Sequence, residues 1–165
     1  MHPIEKYLGE INSFLFKVFA ALAKDKIDVS KYELDHVCYR VETLDRYEEL
    51  KKQLLNSGEL LSENEINGRA IANFKLNEPI IFADRKIFGI ELPAPKLGVF
   101  FKEGYEHVEF AVGINLDDFL KIYPQINWDT TGIAKNVNPD IFVRYDNFTV
   151  KFHQHSIEYV VKYLE

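Results

Sequence analysis

The chain has 165 residues, of which 47% are hydrophobic and 28% charged, and its formal net charge at pH 7 is −6. This length and composition are typical of one globular domain with a core of its own. The acidic balance argues against a broad nucleic-acid or anionic-membrane surface, and no apolar run approaches the roughly 18 residues that would span a bilayer. Cys38 has no second cysteine to pair with, so the sequence predicts a cytoplasmic protein.

The first half of the chain predicts a helical segment (residues 1–32) followed by a module over residues 33–95. Apolar residues recur at helical spacing from Ile4 to Leu22, which predicts one long amphipathic helix to about Lys24. The module has the order β-α-β-β-β. Its predicted elements are a strand at 34–42, a helix from Thr43 that ends before Gly58, and strands at 69–76, 80–83 and 86–92, with turns at 67–68 and 77–79.

Residues 105–165 predict the same order again. A strand at 106–112 leads to a short helix before Pro124, weak strands near Ile133–Val137 and Ile141–Tyr145, and a closing strand at 148–153. Ser156 is the predicted N-cap of a C-terminal helix. We therefore expect a single α+β domain in which two fused β-α-β-β-β modules form a curved mixed sheet or half-barrel, flanked by the N-terminal helical segment and the C-terminal helix.

A seven-residue motif occurs twice, as DHVCYRV (residues 35–41) and EHVEFAV (residues 106–112). Each copy has an acid, a histidine, a valine, any residue, an aromatic residue, any residue and a valine. Downstream, residues 84–91 align with residues 146–153, so that Glu91 and His153 fall at matching positions. A duplicated module that repeats such residues predicts a site built across a pseudo-twofold axis.

Residues two apart on a strand share a face of the sheet. One face of the two motif strands should therefore carry both histidines and the residues two and four places after them. These are His36, Cys38, Arg40, His107, Glu109 and Ala111. The acids that precede the histidines, Asp35 and Glu106, are expected to point the other way.

Imidazole nitrogens and carboxylate oxygens together suit Zn, Ni, Mn or Fe(II). A lone histidine on a strand is more often a hydrogen-bonded structural residue, but a pair at the same place in two copies favours ligation. The sequence predicts that His36, Glu91, His107 and His153 bind one divalent metal ion, with His155 as an alternative to His153. A buried structural filler is the favoured role for Cys38.

Eight short stretches over nearly the whole chain carry a family resemblance. They are HPI (2–4), LDH (34–36), GELLSEN (58–64), INGR (66–69), FKL (74–76), IELP (90–93), EH (106–107) and VKFH (150–153). Together they resemble the bacterial YecM-like family of the vicinal oxygen chelate superfamily, which includes glyoxalase I, extradiol dioxygenases and bleomycin-resistance proteins. The resemblance implies a metal-binding fold and brings no settled substrate. Glyoxalase I and the dioxygenases usually carry a carboxylate on the final strand, where this chain has His153.

These observations favour a metal-dependent enzyme that acts on a small, oxygen-rich, anionic molecule by isomerase or lyase chemistry. Glu109 is the candidate base, with a plain polar residue at the mouth of the cavity as the alternative. Arg40 and Lys151 are candidates to hold the anion, and internal salt bridges to Glu109 or Glu91 are the alternative.

The rival functions are a binding protein without turnover, a purely structural metal, and a dioxygenase. Arg69 and Asn73, which share a face of one predicted strand, are further candidates to reach the pocket. The expected partner is a small molecule rather than a nucleic acid or a membrane. A monomer is compatible with the sequence, which leaves the oligomeric state open.

Overall fold

The computed structural model describes residues 1–165 and contains five α-helices, one 3-10 helix and seven strands. The helices are α1 (Glu5–Leu8), α2 (Asn12–Lys24), α3 (Leu44–Leu54), α4 (Leu116–Ile122) and α5 (Ile157–Tyr163), with the 3-10 helix at Thr131–Ala134. The strands are β1 (Glu33–Arg40), β2 (Gly58–Ile66), β3 (Arg69–Phe82), β4 (Arg85–Pro93), β5 (Gly104–Ala111), β6 (Asp140–Arg144) and β7 (Thr149–His153). They form one mixed sheet in the order β2-β3-β4-β1-β5-β7-β6.

The two halves of the chain meet where β1 and β5 pair antiparallel at the centre of the sheet. In each half the last strand lies parallel beside the first, β4 beside β1 and β7 beside β5. This arrangement relates the halves by a pseudo-twofold axis between β1 and β5. The predicted α+β fold, a mixed sheet flanked by N-terminal and C-terminal helices, is confirmed.

The two faces of the sheet differ in chemistry. The apolar face includes Val37, Ile90, Val108 and Phe152, which belong to one core cluster of 35 buried residues together with side chains from α1 to α4. Burial of this surface is the main driving force for folding. The opposite face, which we call the polar face, carries the motif histidines. No helix in the molecule is long and apolar enough to cross a membrane.

The N-terminal helical segment consists of two helices rather than one. Gly9 ends α1 with a φ of 77°, a left-handed conformation that glycine adopts at little cost and that turns the chain before α2. The predicted caps are confirmed, because the Thr43 side chain accepts a hydrogen bond from the Arg46 amide and the Ser156 side chain accepts one from the Tyr159 amide.

The strands of the first half differ from the prediction at residues 58–82. Residues 58–66 form β2, which the sequence did not predict, and only Gly58 of this strand is buried. An edge strand that is polar on both sides shows no hydrophobic alternation, so pattern alone does not detect it. Residues 77–79 do not end a strand, because β3 continues through them with a register shift against β4.

The predicted strand near Ile133–Val137 is wrong. Residues 131–134 form the 3-10 helix, and a single isolated bridge, between Asp129 and Phe142, joins this region to β6. Gly132 packs so closely on Asp140 that any Cβ there would overlap the carboxylate. The second half therefore contributes three strands to the sheet where the first contributes four.

Candidate metal centre

Four polar side chains meet at the middle of the polar face. They are His36 from β1, Glu91 from β4, and His107 and Glu109 from β5, and one donor atom from each lies within 4.8 Å of the others. We call this set the central cluster. His36, His107 and Glu109 are only 1%, 2% and 3% exposed. The cluster forms because β4, β1 and β5 are adjacent in the sheet, so that residues from distant parts of the chain come into register.

Glu109 is the most connected member of the cluster. Its Oε1 lies 3.0 Å from His107 Nε2 and 3.2 Å from Lys151 Nζ. Its Oε2 lies 3.3 Å from His36 Nε2 and is in direct contact with His153 Nε2. His153 therefore reaches the central cluster through Glu109. Glu91 is more distant from the imidazoles, 3.7 Å from His36 Nε2 and 3.5 Å from His107 Nε2.

Two β-bulges bring the acid that precedes each motif histidine into contact with that histidine. The register of the β1–β5 pair shifts twice, and each shift leaves one residue without a partner, Asp35 on β1 and Glu106 on β5. A bulge re-aims the side chain of its extra residue. Asp35 Oδ2 accepts a hydrogen bond from His36 Nδ1 at 2.8 Å, and Glu106 Oε2 accepts one from His107 Nδ1. The prediction that these acids point away from the site is wrong.

These contacts fix the orientation of all three imidazoles. His153 Nδ1 donates to the Pro139 carbonyl at 3.2 Å, so each of the three rings has its Nδ1 bonded to an oxygen. A neutral ring that is protonated on Nδ1 presents the lone pair of Nε2, which here faces the carboxylates of the cluster. His36 Nε2 is buried and has no hydrogen-bond partner. This donor set fits a divalent cation.

The buried charges shift one another's pKa values. Burial alone disfavours the imidazolium of His36, but Glu109 and the hydrogen bond to Asp35 outweigh it and raise the pKa well above its usual range. Burial and Lys151 oppose protonation of His107, and Glu106 and Glu109 still raise its pKa. Burial also opposes ionisation of Glu91, but the two imidazoles lower its pKa to about 2.

Lys151, and not His153, occupies the place in the second half that Glu91 occupies in the first. Glu91 lies opposite Cys38, two residues after the first motif histidine. The matching position in the second half is opposite Glu109, where Lys151 lies, and His153 follows two residues later. The closing strands are equivalent as predicted, but the residue match of Glu91 with His153 is wrong by two positions.

Lys151 forms the internal ion pair with Glu109 that the sequence left open as an alternative, whereas Arg40 pairs with Glu106 rather than with Glu109 or Glu91. Lys151 Nζ lies 3.2 Å from Glu109 Oε1, and Arg40 Nη2 lies 3.5 Å from Glu106 Oε2. The Arg40 guanidinium also stacks on the Phe101 ring at 4.0 Å. Its Nε is buried without a hydrogen-bond partner, so Arg40 retains a donor for a further acceptor.

Of the other residues that the sequence suggested for the site, some lie near the central cluster and some lie away from it. Cys38 is buried next to it. His155 stacks on the Tyr159 ring, and Arg69 donates to the Ala94 carbonyl, so neither joins the donor set. Asn73 lies on the polar face directly opposite Glu91.

The C-terminal helix α5 lies over the polar face of the first half. The Ile157 amide donates to Asp35 Oδ2 at 2.9 Å, and Glu158 pairs with Lys75 Nζ at 2.8 Å. Asp35 therefore holds both His36 and the start of α5. A surface groove of about 610 Å³ lies elsewhere, between α2 and the β3–β4 turn near Phe19 and Phe82, and the cluster is not at its base.

Replacing Asp35 with asparagine should weaken divalent-metal binding by about 10- to 100-fold, as is typical when the partner of a ligating histidine is changed. The neutral amide can turn its NH2 group toward His36 Nδ1 and release the ring from its present tautomer. Calorimetric titration with Zn²⁺ and Mn²⁺ measures the change. Asp45→Asn, on the exposed side of α3, is the matched control. Equal affinities for the two variants would contradict an orienting role for Asp35.

The strand order and the parallel pairing of the first and last strands in each half agree with the fold of the vicinal oxygen chelate superfamily. Methylmalonyl-CoA epimerase from Streptomyces coelicolor shares this fold, with a TM-score of 0.52 and 15% identity over 73% of this chain and 95% of the epimerase chain.

The family follows from the sequence itself. The family model described as YecM protein matches residues 4–164, and the chain belongs to this family. Protein YecM of Escherichia coli K12 is 32% identical over 151 residues, which cover 82% of this chain and 80% of that protein. A Haemophilus influenzae Rd protein is 40% identical over 92 residues, 55% of this chain and only 48% of its own length. The solved structure of protein EC4020 has a TM-score of 0.78 and 29% identity, with 100% of this chain and 98% of that chain covered.

Proposed function

We propose that the protein is a metal-dependent enzyme that moves a proton on a small, oxygen-rich, anionic molecule. The observation that carries the proposal is the common direction of the imidazoles: Nδ1 of His36, His107 and His153 is bonded to an oxygen, so each Nε2 faces the buried carboxylates. Lone pairs and carboxylates gathered in one buried place repel one another unless protons or a cation lie between them. A divalent ion suits all of these donors at once.

We assign His36, Glu91, His107 and Glu109 as the residues that hold the ion, since their donor atoms lie within 4.8 Å of one another. A bound divalent ion would polarise a carbonyl or hydroxyl oxygen of the substrate. Four protein donors leave fewer open positions than the two-histidine, one-carboxylate triad of oxygen-activating iron enzymes. This count favours isomerase or lyase chemistry.

The sequence favoured Glu109 as the base and His153 as a metal ligand. In this proposal the roles are reversed: Glu109 binds the metal and His153 is the base. Burial opposes ionisation of Glu109, but His153, His36 and Lys151 hold its pKa well below the usual range, which makes it a good anionic ligand and a weak base near neutral pH. His153 Nε2 contacts Oε2 of this carboxylate without belonging to the central cluster, and histidine is the side chain that most often transfers protons in enzymes. Glu109→Gln should therefore lose the metal, whereas His153→Gln should keep the metal and lose proton transfer. The reverse pattern would restore Glu109 as the base.

Lys151 and Arg40 supply the positive charge for an anionic substrate, because both are largely buried beside the central cluster. Arg40→Ala should weaken the binding of small carboxylates to the metal-loaded protein by about 10- to 150-fold, the value of a hydrogen bond to a charged group. Calorimetry with 2-oxo acids, 2-hydroxy acids and neutral diols is the measurement, and Arg144→Ala, which removes an exposed arginine, is the control. Equal affinity for diols and acids would contradict an anionic substrate.

Proton transfer itself is tested by isotope exchange. Metal-loaded protein in D2O should exchange the hydrogen on the carbon next to the carboxylate of its preferred acid, as followed by proton NMR. His153→Gln should bind the same acid without exchange. Binding without exchange in the unmodified protein would instead support a non-catalytic binding protein.

A dioxygenase is the second candidate, favoured by one specific observation. Lys151 occupies the position in the second half that Glu91 occupies in the first. The two motif histidines and this pair of positions therefore supply two imidazoles, His36 and His107, and a single carboxylate, Glu91. Two histidines and one carboxylate are the donor set of non-haem iron oxygenases. Oxygen consumption by Fe(II)-loaded protein with a panel of catechols would select this candidate over the isomerase or lyase.

A further inference from the structure

Asn73, a candidate from the sequence to reach the pocket, is a buried polar residue beside the central cluster. It lies on β3 directly opposite Glu91 in the β3–β4 pair, so its side chain shares the polar face with the central cluster. Side chains directly opposite each other in an antiparallel pair have Cβ atoms about 4.5–5.5 Å apart. Asn73 is 6% exposed, and water therefore does not solvate its amide freely.

The nitrogen and the oxygen of the Asn73 side-chain amide differ in their hydrogen bonding. Nδ2 donates to Ser62 Oγ on β2 at 3.2 Å, whereas Oδ1 is buried and has no hydrogen-bond partner. Nδ2 and Oδ1 are diverging branches of one planar group, so an Nδ2 that faces β2 leaves Oδ1 on the side away from β2. Beyond β3 on that side lies β4 with Glu91.

A buried amide oxygen without a donor is costly to the fold, and few such atoms occur in native proteins. None of the protein's own groups donates a hydrogen bond to Asn73 Oδ1. A donor for Asn73 Oδ1 therefore has to come from a molecule that enters the site. If the oxygen of a substrate hydroxyl group faces the central cluster, the hydrogen of that hydroxyl is free to be donated to Asn73 Oδ1.

We propose that Asn73 determines substrate specificity by accepting a hydrogen bond from a substrate hydroxyl, and that the substrate is a 2-hydroxy acid rather than a 2-oxo acid. This inference rests on the proposed function, because it takes the central cluster as the place where the substrate binds. Ser62 is a positioning residue, since it holds the nitrogen of the amide and so sets the direction of the oxygen.

The test compares two ligands that differ in the presence of this hydroxyl hydrogen. Lactate and pyruvate are titrated by calorimetry into protein loaded with Mn²⁺, for the unmodified chain and for Asn73→Leu, which keeps the size of the side chain. The unmodified protein should prefer lactate. Asn73→Leu should weaken lactate binding by about three- to tenfold, as expected for one hydrogen bond, and should change pyruvate binding by less than about twofold.

The controls separate this inference from the proposed function. Asn56→Leu, which changes an exposed asparagine after α3, should leave both affinities unchanged, and metal content shows whether the centre is intact. If neither acid binds metal-loaded protein, the proposed function fails. If both bind but Asn73→Leu weakens them equally or not at all, only the role of Asn73 is overturned. A pyruvate preference that Asn73→Leu removes would mean that the amide nitrogen faces the site, and would also overturn it.

Ser62→Ala serves as a second variant where Asn73→Leu does not fold. Without Ser62 Oγ the amide loses its anchor, so the lactate preference should shrink while metal binding is retained. An unchanged preference in Ser62→Ala would contradict the positioning described above.

Discussion

Replacing His107 with alanine should lower the affinity for a divalent ion by more than about 100-fold, since removing a ligand costs more than changing a residue that orients one. His107 Nε2 lies 3.0 Å from Glu109 and 3.5 Å from Glu91, and its Nδ1 is held by Glu106. No other imidazole is placed to fill this position. The measurement is metal content after purification without an affinity tag, followed by titration with Zn²⁺ and Mn²⁺.

The matched control is His155→Ala, which removes an imidazole that stacks on Tyr159 outside the cluster. This variant should retain its metal. The metal-free His107→Ala protein should also unfold at a lower temperature than the unmodified chain, because Glu91 and Glu109 remain buried with one partner fewer. Equal metal content in the two variants would show that the ion, if bound, is held elsewhere.

Metal affinity should rise steeply with pH. In the metal-free protein the carboxylates of the cluster raise the pKa values of His36 and His107, so both imidazoles hold protons that an incoming ion must displace. Each displaced proton contributes about tenfold per pH unit to the apparent affinity. With two histidines the rise reaches about 100-fold per unit, until the pH passes the raised pKa values. Glu91, with its pKa lowered to about 2, adds no competing proton near neutrality.

Proton release measures this directly. Titration of Mn²⁺ in buffers of different ionisation enthalpy should show protons released on binding, with the number approaching two where the pH lies below both raised pKa values. An affinity that is flat between pH 6 and pH 8 would contradict protonated histidines in the metal-free centre.

The stability of the metal-free protein should have the opposite pH dependence. The raised histidine pKa values stabilise the fold fully below the unfolded value of about 6.5, and this contribution is lost as pH rises through the folded values. Added metal should remove that alkaline loss. The lowered pKa of Glu91 stabilises the fold above its unfolded value and is lost only as pH falls toward about 2.

The sequence by itself determined the features that depend on local pattern. Alternation along β1 and β5 placed His36 and His107 on one face, and short-range capping by Thr43 and Ser156 located the starts of two helices. The repeated motif identified the two halves and the strands that close them. Each of these signals lies within a few neighbouring residues, so it can be recognised without knowledge of the fold.

Only the tertiary structure decided the features that depend on how strands pair. The bulges that turn Asp35 and Glu106 toward the histidines exist only in the β1–β5 ladder. The position of Lys151 opposite Glu109 is likewise a property of the β5–β7 register, and the burial of Asn73 requires its neighbours on both sides in the sheet. Strand register is set by contacts between residues that are distant in the chain, and a shift of one or two residues changes which side chains meet.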